Sequence, residues 1–456
     1  MAATDRPNVI VFFTDQQRWD TAGVHGNPVG ITPNFDRMAV EGTHLSNSFT
    51  CQPVCGPARS CLQTGRYASE TGVWRNGPAL PDDLPTLAGL FGASGYRTGY
   101  IGKWHLSTAG PRAVPPEQRG GYQDWLASNV LEFTSDAYRT RMYDGAGDAV
   151  DLPGYRVDAV ADAAIRYVDA RAREAHPFFL FLSFIEPHFQ NSRDDYPAPT
   201  GYEERYTGAW VPPDLAALGG STHQHLAGYY GMVRRLDEAL GRLQDALRSL
   251  DLLRSTVLLF TTDHGCHFKT RNGEYKRSCH ESSIRLPTAL TGPGFDGGGR
   301  VQQLTSLIDL PRTLLDAAGI SPPAEMRGRS VLPLVSDPAA RADWPAEVFI
   351  QISESQVGRA VRTARWKYGV TAPGIDGRQR PAADHYREQY LYDLLADRYE
   401  LNNLAGSTAH VEVARRLRRR LLRHVRAVEG AEPAIEPAGA RSGGGIRVGE
   451  EDLAGL

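Results

Sequence analysis

Four apolar runs, each closed by polar groups, set the frame of this chain. Residues 8–14, NVIVFFT, form a continuous β-branched and aromatic run that ends at Asp15, the pattern of a central strand covered on both faces. RTGYIG at 97–102 delivers Lys103, Trp104 and His105, FFLFLSFI at 178–185 ends at Glu186, Pro187 and His188, and TVLLFTT at 256–262 ends at Asp263 and His264. Helical patterns alternate with these runs. Residues 32–42 predict a capped helix, with Thr32 as cap, Pro33 in the first turn and Gly42 as terminator. Residues 82–92 predict a second helix, and residues 156–174 a third, on the spacing of Val157, Val160, Ala164 and Val168. A long amphipathic helix is predicted over 223–250, where Leu226, Tyr229, Val233, Leu236, Leu240, Leu243 and Leu247 recur at three and four. This order predicts an α/β fold with a large sheet between helices. Ligands gather at the carboxyl edge of such sheets, so Asp15 and Gln16 are well placed for a site.

Between and beyond these elements the pattern weakens. Residues 106–153 are rich in Gly, Pro and charge, lack periodicity, and read as an insertion or loop, where specificity often resides. A charged, Gly-containing loop is expected over 265–281, followed by the strand-like RLPTALTG. Pro, Ala and Asp accumulate near 322–345, the expected join between domains 1–345 and 346–456. The second domain is read as α+β: VFIQIS, AVRTARWKYGV and QYLYDL supply a small antiparallel sheet. The Arg-rich helix at 413–428 docks Val413, Leu417, Leu421 and Val425 and leaves its basic face to solvent, and the residues from Pro433 onward read as a loose tail. No internal repeat stands out.

Composition narrows the class. The 456 residues are 41% hydrophobic and 23% charged, and 50 Lys and Arg against 53 Asp and Glu leave a formal charge of −3. Nothing in that balance calls for nucleic acid or an anionic membrane. The opening residues hold no apolar run of signal-peptide length, and 178–185 is far short of the roughly 20 residues that span a bilayer. Five cysteines, an odd number, argue for free thiols in a reducing compartment, so the expectation is a cytoplasmic protein. No zinc spacing occurs.

One of those thiols stands apart. In CQPVCGPARSCLQTGRY, residues 51–67, Pro57 suits a first helical turn and Gly65 a left-handed terminator, so the piece between is a short helix. Cys55 lies at its start, where free N–H groups and the helix dipole favour an anion, and Arg59 adds a fixed fork of donors on the same face. Residues alone leave two readings, a reactive low-pKa cysteine or an ordinary buried thiol. The set Cys55, Pro57, Arg59, Leu62, Thr64, Gly65 and Arg66 resembles the signature of the type I sulfatases of the alkaline phosphatase superfamily, C-x-P-x-R followed by L-x-T-G-R. Further blocks, GKWHL at 102–106 and EPHF at 186–189, extend the resemblance over most of residues 6–336 and weakly beyond.

The resemblance implies an alkaline-phosphatase-like fold and a maturation enzyme that oxidises Cys55 to formylglycine (3-oxoalanine). One hydroxyl of the hydrated aldehyde attacks sulfur, and the other expels sulfate by re-forming the carbonyl. It implies one divalent ion, usually Ca²⁺, with Mg²⁺ or Mn²⁺ as alternatives, held by Asp15, Gln16, Asp263, His264 and an oxygen on residue 55. Lys103 is assigned to transition-state charge and His105 to the proton released with sulfate. His188 becomes the donor to the leaving alcohol and Lys276 the family's second lysine; His280 follows at a spacing that reaches the pocket as a substrate contact, where the family often has an aromatic residue. The pairs Asp15-Gln16 and Asp263-His264 depart from the commoner Asp-Asp and Asp-Asn and resemble a branch that includes phosphonate monoester hydrolases.

The function read from the chain is therefore hydrolysis of a small-molecule or carbohydrate sulfate ester. The alternatives are a phosphonate monoester or phosphodiester hydrolase and a non-catalytic binding protein on the same fold. The partners expected are that substrate and the formylglycine-generating enzyme, with no nucleic acid, no membrane and homo-oligomerisation left open. Pocket walls are expected from 106–153, 189–222 and 265–281, whose Arg139, Arg141, Arg193 and Arg271 either meet an acidic sugar or face water.

Overall fold

The computed structural model describes residues 6–442 and 447–456. Its first strands are β1 (Asn8–Thr14), β2 (Thr43–Leu45), β3 (Ser48–Phe49), β4 (Arg97–Lys103), β5 (Asp124–Ser128), β6 (Thr140–Asp144), β7 (Ala149–Leu152) and β8 (Phe178–Ser183). After them come β9 (Thr256–Thr262), β10 (Arg285–Leu286), β11 (Ala289–Thr291), β12 (Gly299–Val301) and β13 (Thr305–Ser306). Ten of these form one mixed sheet in the order β12-β2-β11-β9-β1-β8-β4-β5-β6-β7, and β10, β3 and β13 form a small second sheet.

The four apolar runs lie side by side at its centre, with β1 parallel to both β8 and β9, and β4 parallel to β8. Their carboxyl ends are in register: Phe13 faces Ser183, Thr14 faces Thr262, and Gly102 faces Ser183 from the other side. Alternation along each strand divides the core in two. Val9, Val11, Phe13 and Phe181 pack with Trp104, Leu310 and Leu314 on one face. Ile10, Phe12, Leu180 and Leu182 pack on the other against helices Arg156–Arg171 and Thr222–Ser249.

Residues 347–436 add β14 (Glu347–Ile352), β15 (Gly358–Thr363), β16 (Trp366–Thr371), β17 (His385–Asp393) and β18 (Ala434–Glu436), paired in that order. The helix Val411–Glu429 buries Val413, Leu417, Leu421 and Val425 against this sheet, the stripe read from sequence. No described helix is long and apolar enough to cross a membrane.

The structure departs from the sequence reading in four places. Residues 106–153 are no insertion loop: β5, β6 and β7 extend the main sheet to its edge. Only one side of the outer two is covered, so they carry too few apolar residues to show a period. The helix expected over 82–92 begins at Leu87, after Pro85, with the Thr86 side chain accepting from Gly89 N. At the first helix, α1 (Pro33–Glu41), Thr32 makes no side-chain cap; the Asp237 carboxylate accepts the N–H groups of Asn34 and Phe35 from across the molecule. The tail is not loose where it is described. β18 pairs parallel with β17, and Leu453 and Leu456 pack on the second core, while 443–446 of that tail lie outside the described residues.

Candidate active site

The helix α2 (Cys55–Thr64) starts at Cys55 and stops at Gly65, whose φ of 67° is the left-handed conformation expected of it. Cys55 is 1% exposed and faces the carboxyl edge of the central strands. Lys276 Nζ donates to its Sγ at 2.9 Å, with His264 Nε2 at 3.3 Å and Asp15 Oδ1 at 3.5 Å. Burial opposes ionisation of this thiol, yet Lys103 and Lys276 hold its pKa well below the ordinary cysteine value.

Arg59, one turn along α2, is spent on alignment. Its two terminal nitrogens reach Asp15 Oδ2 at 2.8 Å, the Lys103 carbonyl at 2.8 Å and Ser183 Oγ at 2.7 Å, tying β1, β4 and β8 to the helix. Lys103 Nζ lies 2.9 Å from the same Asp15 oxygen and 3.2 Å from Glu132. Burial would raise the Asp15 pKa, and so would Cys55; Lys103, His188 and Arg59 outweigh both and keep it ionised.

Asp15, Cys55, Asp263 and His264 bring one ligand atom each within 4.8 Å of one another. His264 Nδ1 bonds the Gly265 carbonyl at 3.0 Å, which leaves the Nε2 lone pair turned to the site. Asp263 Oδ1 accepts the N–H groups of Gln16 and His264, whereas Asp263 Oδ2 and Gln16 Oε1 are buried without a hydrogen-bond partner. Burial and then the neighbouring Asp15 push the Asp263 pKa up. Crowded anions, orphaned oxygens and one imidazole are a donor set that fits a divalent cation, and the majority of oxygen donors favours a hard one.

The remaining residues line a cavity of about 90 Å³ over Cys55. His188 Nδ1 donates to the Phe189 carbonyl at 2.7 Å, which turns Nε2 toward Lys276 Nζ at 3.0 Å. Burial and then Lys276 lower the His188 pKa. His105, at φ 62°, is fixed by its N–H to the Asn129 carbonyl at 2.8 Å, and its Nδ1 is buried and unpaired. The structure thus brings together Asp15, Gln16, Cys55, Arg59, Lys103, His105, His188, Asp263, His264 and Lys276. It does not bring in His280, whose ring nitrogens meet Ser278 Oγ at 3.2 Å and Tyr392 Oη at 3.1 Å.

Three residues of the site escape the sequence reading. Glu132 pairs with Lys103, Ser183 carries a fork of Arg59, and Asn76 Oδ1 accepts the Gly56 N–H of α2 at 2.9 Å. Glu132 and Asn76 sit in stretches without periodicity, and Ser183 is one more position in a buried strand.

Comparison with known proteins follows the same lines. The family model described as "Sulfatase" matches residues 7–320, and that described as "N-sulphoglucosamine sulphohydrolase, C-terminal" matches 273–427. The chain is 30% identical over 416 residues to an ulvan-active sulfatase of Formosa agariphila, covering 88% of this chain and 77% of that one. It is 27% identical to arylsulfatase K of Danio rerio, covering 88% and 81%. Among solved structures, an enzyme in complex with its substrate D-glucosamine-2-N,6-O-disulfate superposes with a TM-score of 0.77 at 22% identity, covering 94% and 99%. A phosphonate monoester hydrolase of Silicibacter pomeroyi shares the fold with a TM-score of 0.68 at 21% identity, covering 93% and 96%.

Proposed function

The chain belongs to the sulfatase family and is a sulfuric ester hydrolase, and from that premise we propose that it acts on a carbohydrate sulfate through a formylglycine made from Cys55, beside a bound divalent cation. The observation that carries this reading is the surround of one buried Sγ: Lys276, His264 and Asp15 within 3.5 Å, with Asp263 beside them and one of its buried oxygens without a hydrogen bond. The formylglycine would supply a hydrated aldehyde whose hydroxyls accept and then expel the sulfuryl group. The cation, Ca²⁺ by family resemblance, would sit among Asp15, Gln16, Asp263 and His264 and polarise the ester oxygens.

The chain's own residues divide the remaining work. Arg59 and Lys103 hold Asp15 in its charged form and set its free oxygen toward residue 55. Lys103 and Lys276 are the ammonium groups placed to meet charge on the sulfate oxygens. Since His188 Nδ1 is engaged by a carbonyl, Nε2 is the nitrogen that faces the cavity and would carry the proton for the leaving alcohol, with the Lys276 ammonium 3.0 Å away. His105 lines the same cavity and is the base for the proton released with sulfate.

The test combines mass and activity. Enzyme produced with a formylglycine-generating enzyme is expected to show the Cys55 peptide lighter by about 18 Da and to release sulfate from 4-nitrophenyl sulfate. An unmodified thiol in fully active enzyme would sink the proposal. Phosphonate monoester hydrolysis is a second reading, favoured by the neutral ligands Gln16 and His264. The same preparation assayed on a phenyl phosphonate ester decides it by the ratio of kcat/KM values.

A further inference from the structure

The outer guanidinium in the lining of the Cys55 cavity is matched by carboxylates, and that matching restricts what can sit there. Beyond the inner group of Lys103, Lys276 and Arg59, the guanidinium of Arg277 lines the cavity and is held from both sides by the carboxylates of Glu274 and Glu354. Glu354 comes from the carboxy-terminal sheet, and its other oxygen accepts the N–H of Asn76 at 2.6 Å. Arg277 and Glu354 both hold positive φ, 61° and 63°, a conformation that persists only where neighbours fix it.

The loops carrying Glu132, Asn191 and Tyr275 repeat the theme. Arg193 is bidentate with Asp136 at 2.6 and 2.8 Å, and Arg141 with Asp151 at 2.7 Å. Lys269 Nζ lies 2.6 Å from Asp194, which also accepts the Tyr275 hydroxyl. Arg271 donates to the carbonyls of Tyr399 and Glu400. Asp151, held down first by Arg141, also feels Arg139, and Arg75 stacks on Trp74 outside the cavity lining. Of the Lys and Arg side chains that line the cavity, Lys276 is turned to Cys55 and Arg277 is held between two carboxylates, while Arg75 and Arg139 stand outside that lining.

A second anion on the substrate would meet Glu274, with no cation in the cavity lining left to answer it. Neutral hydroxyls find partners instead: the amides of Asn76 and Asn191, the Glu274 carboxylate, and the face of Phe189, stacked on His188 at 4.5 Å. We propose that the substrate carries one anionic group, the sulfate under attack, on an otherwise uncharged hydroxylated ring, and that Glu274 turns away a second anion. This rests on the hydrolase reading and names the substrate class for the same site.

The test uses matured enzyme with the aldehyde at Cys55 verified. Sulfate release is followed by ion chromatography on monosulfated hexoses and N-acetylhexosamines, on counterparts with a second sulfate or a C6 carboxylate, and on 4-nitrophenyl sulfate as reference. The best sugar is expected to be monosulfated and neutral, with kcat/KM about tenfold above each doubly charged counterpart. Glu274→Gln is expected to narrow that gap about threefold, and Glu354→Gln, which releases Arg277 on its other side, gives a second measure. Preference for a doubly charged sugar, or a gap unmoved in both variants, overturns the proposal. Turnover of the aryl ester with none of the sugars overturns the hydroxylated ring. An aldehyde-bearing enzyme that hydrolyses no sulfate ester at all fails the hydrolase reading instead.

Discussion

Arg59 shows what a single side chain contributes when its geometry is planar. It reaches an acid, a carbonyl and a hydroxyl on three different strands, which the point charge of a lysine cannot do. Arg59→Lys is expected to fold and to lose about 100-fold in kcat on an aryl sulfate, the scale of a lost preorganised donor. Circular dichroism and a thermal melt alongside the assay separate the two effects. Residues of this kind are legible from sequence because they occupy a dense motif or the end of an apolar strand, as Cys55, Asp15, Asp263 and His188 do. Asn76 and Glu132 are not, since a lone amide or acid in an aperiodic stretch leaves no trace of what it faces. His280 marks the same limit: spacing in a loop does not say to which side the ring turns, and here it turns to Tyr392.

At the scale of elements, the site depends on how closely β4 and β8 approach. Gly102 has a φ of 111°, and a Cβ there would collide with the Ser183 carbonyl. Gly102→Ala is expected to destabilise the fold by about 3 kcal/mol or more, through both the backbone conformation and the clash. Denaturant unfolding with an unchanged slope would register it; a loss below about 0.5 kcal/mol would mean that the strands can part freely. The central strands were readable because burial on both faces leaves an unbroken apolar run. β6 and β7 were not, because an edge strand with one dry face looks like a loop, and the cap of α1 was missed because its acceptor, Asp237, lies some two hundred residues away.

For the whole molecule, the carboxy-terminal sheet is joined to the catalytic part by buried charge. Lys367 Nζ lies 2.8 Å from Glu281 and 2.6 Å from Glu400, and Arg362 also faces Glu281. Lys367→Ala would strand these carboxylates in a dry interface and is expected to cost about 3–5 kcal/mol, read as a fall in thermal midpoint. Lys367→Met, which keeps the bulk but not the charge, should recover little of that loss. A second consequence comes from β1, whose neighbours on both sides are strands made much later, β8 and β9. On a ribosome the first strand must wait for residue 183 to cover one edge and for residue 262 to cover the other. Until then the central sheet over whose edge the thiol at position 55 comes to lie is incomplete, whereas in the finished protein that thiol is buried at the floor of a cavity. On the proposed formylglycine reading, that order of synthesis would give the maturation enzyme its interval of access, and faster closure of the sheet would shorten it.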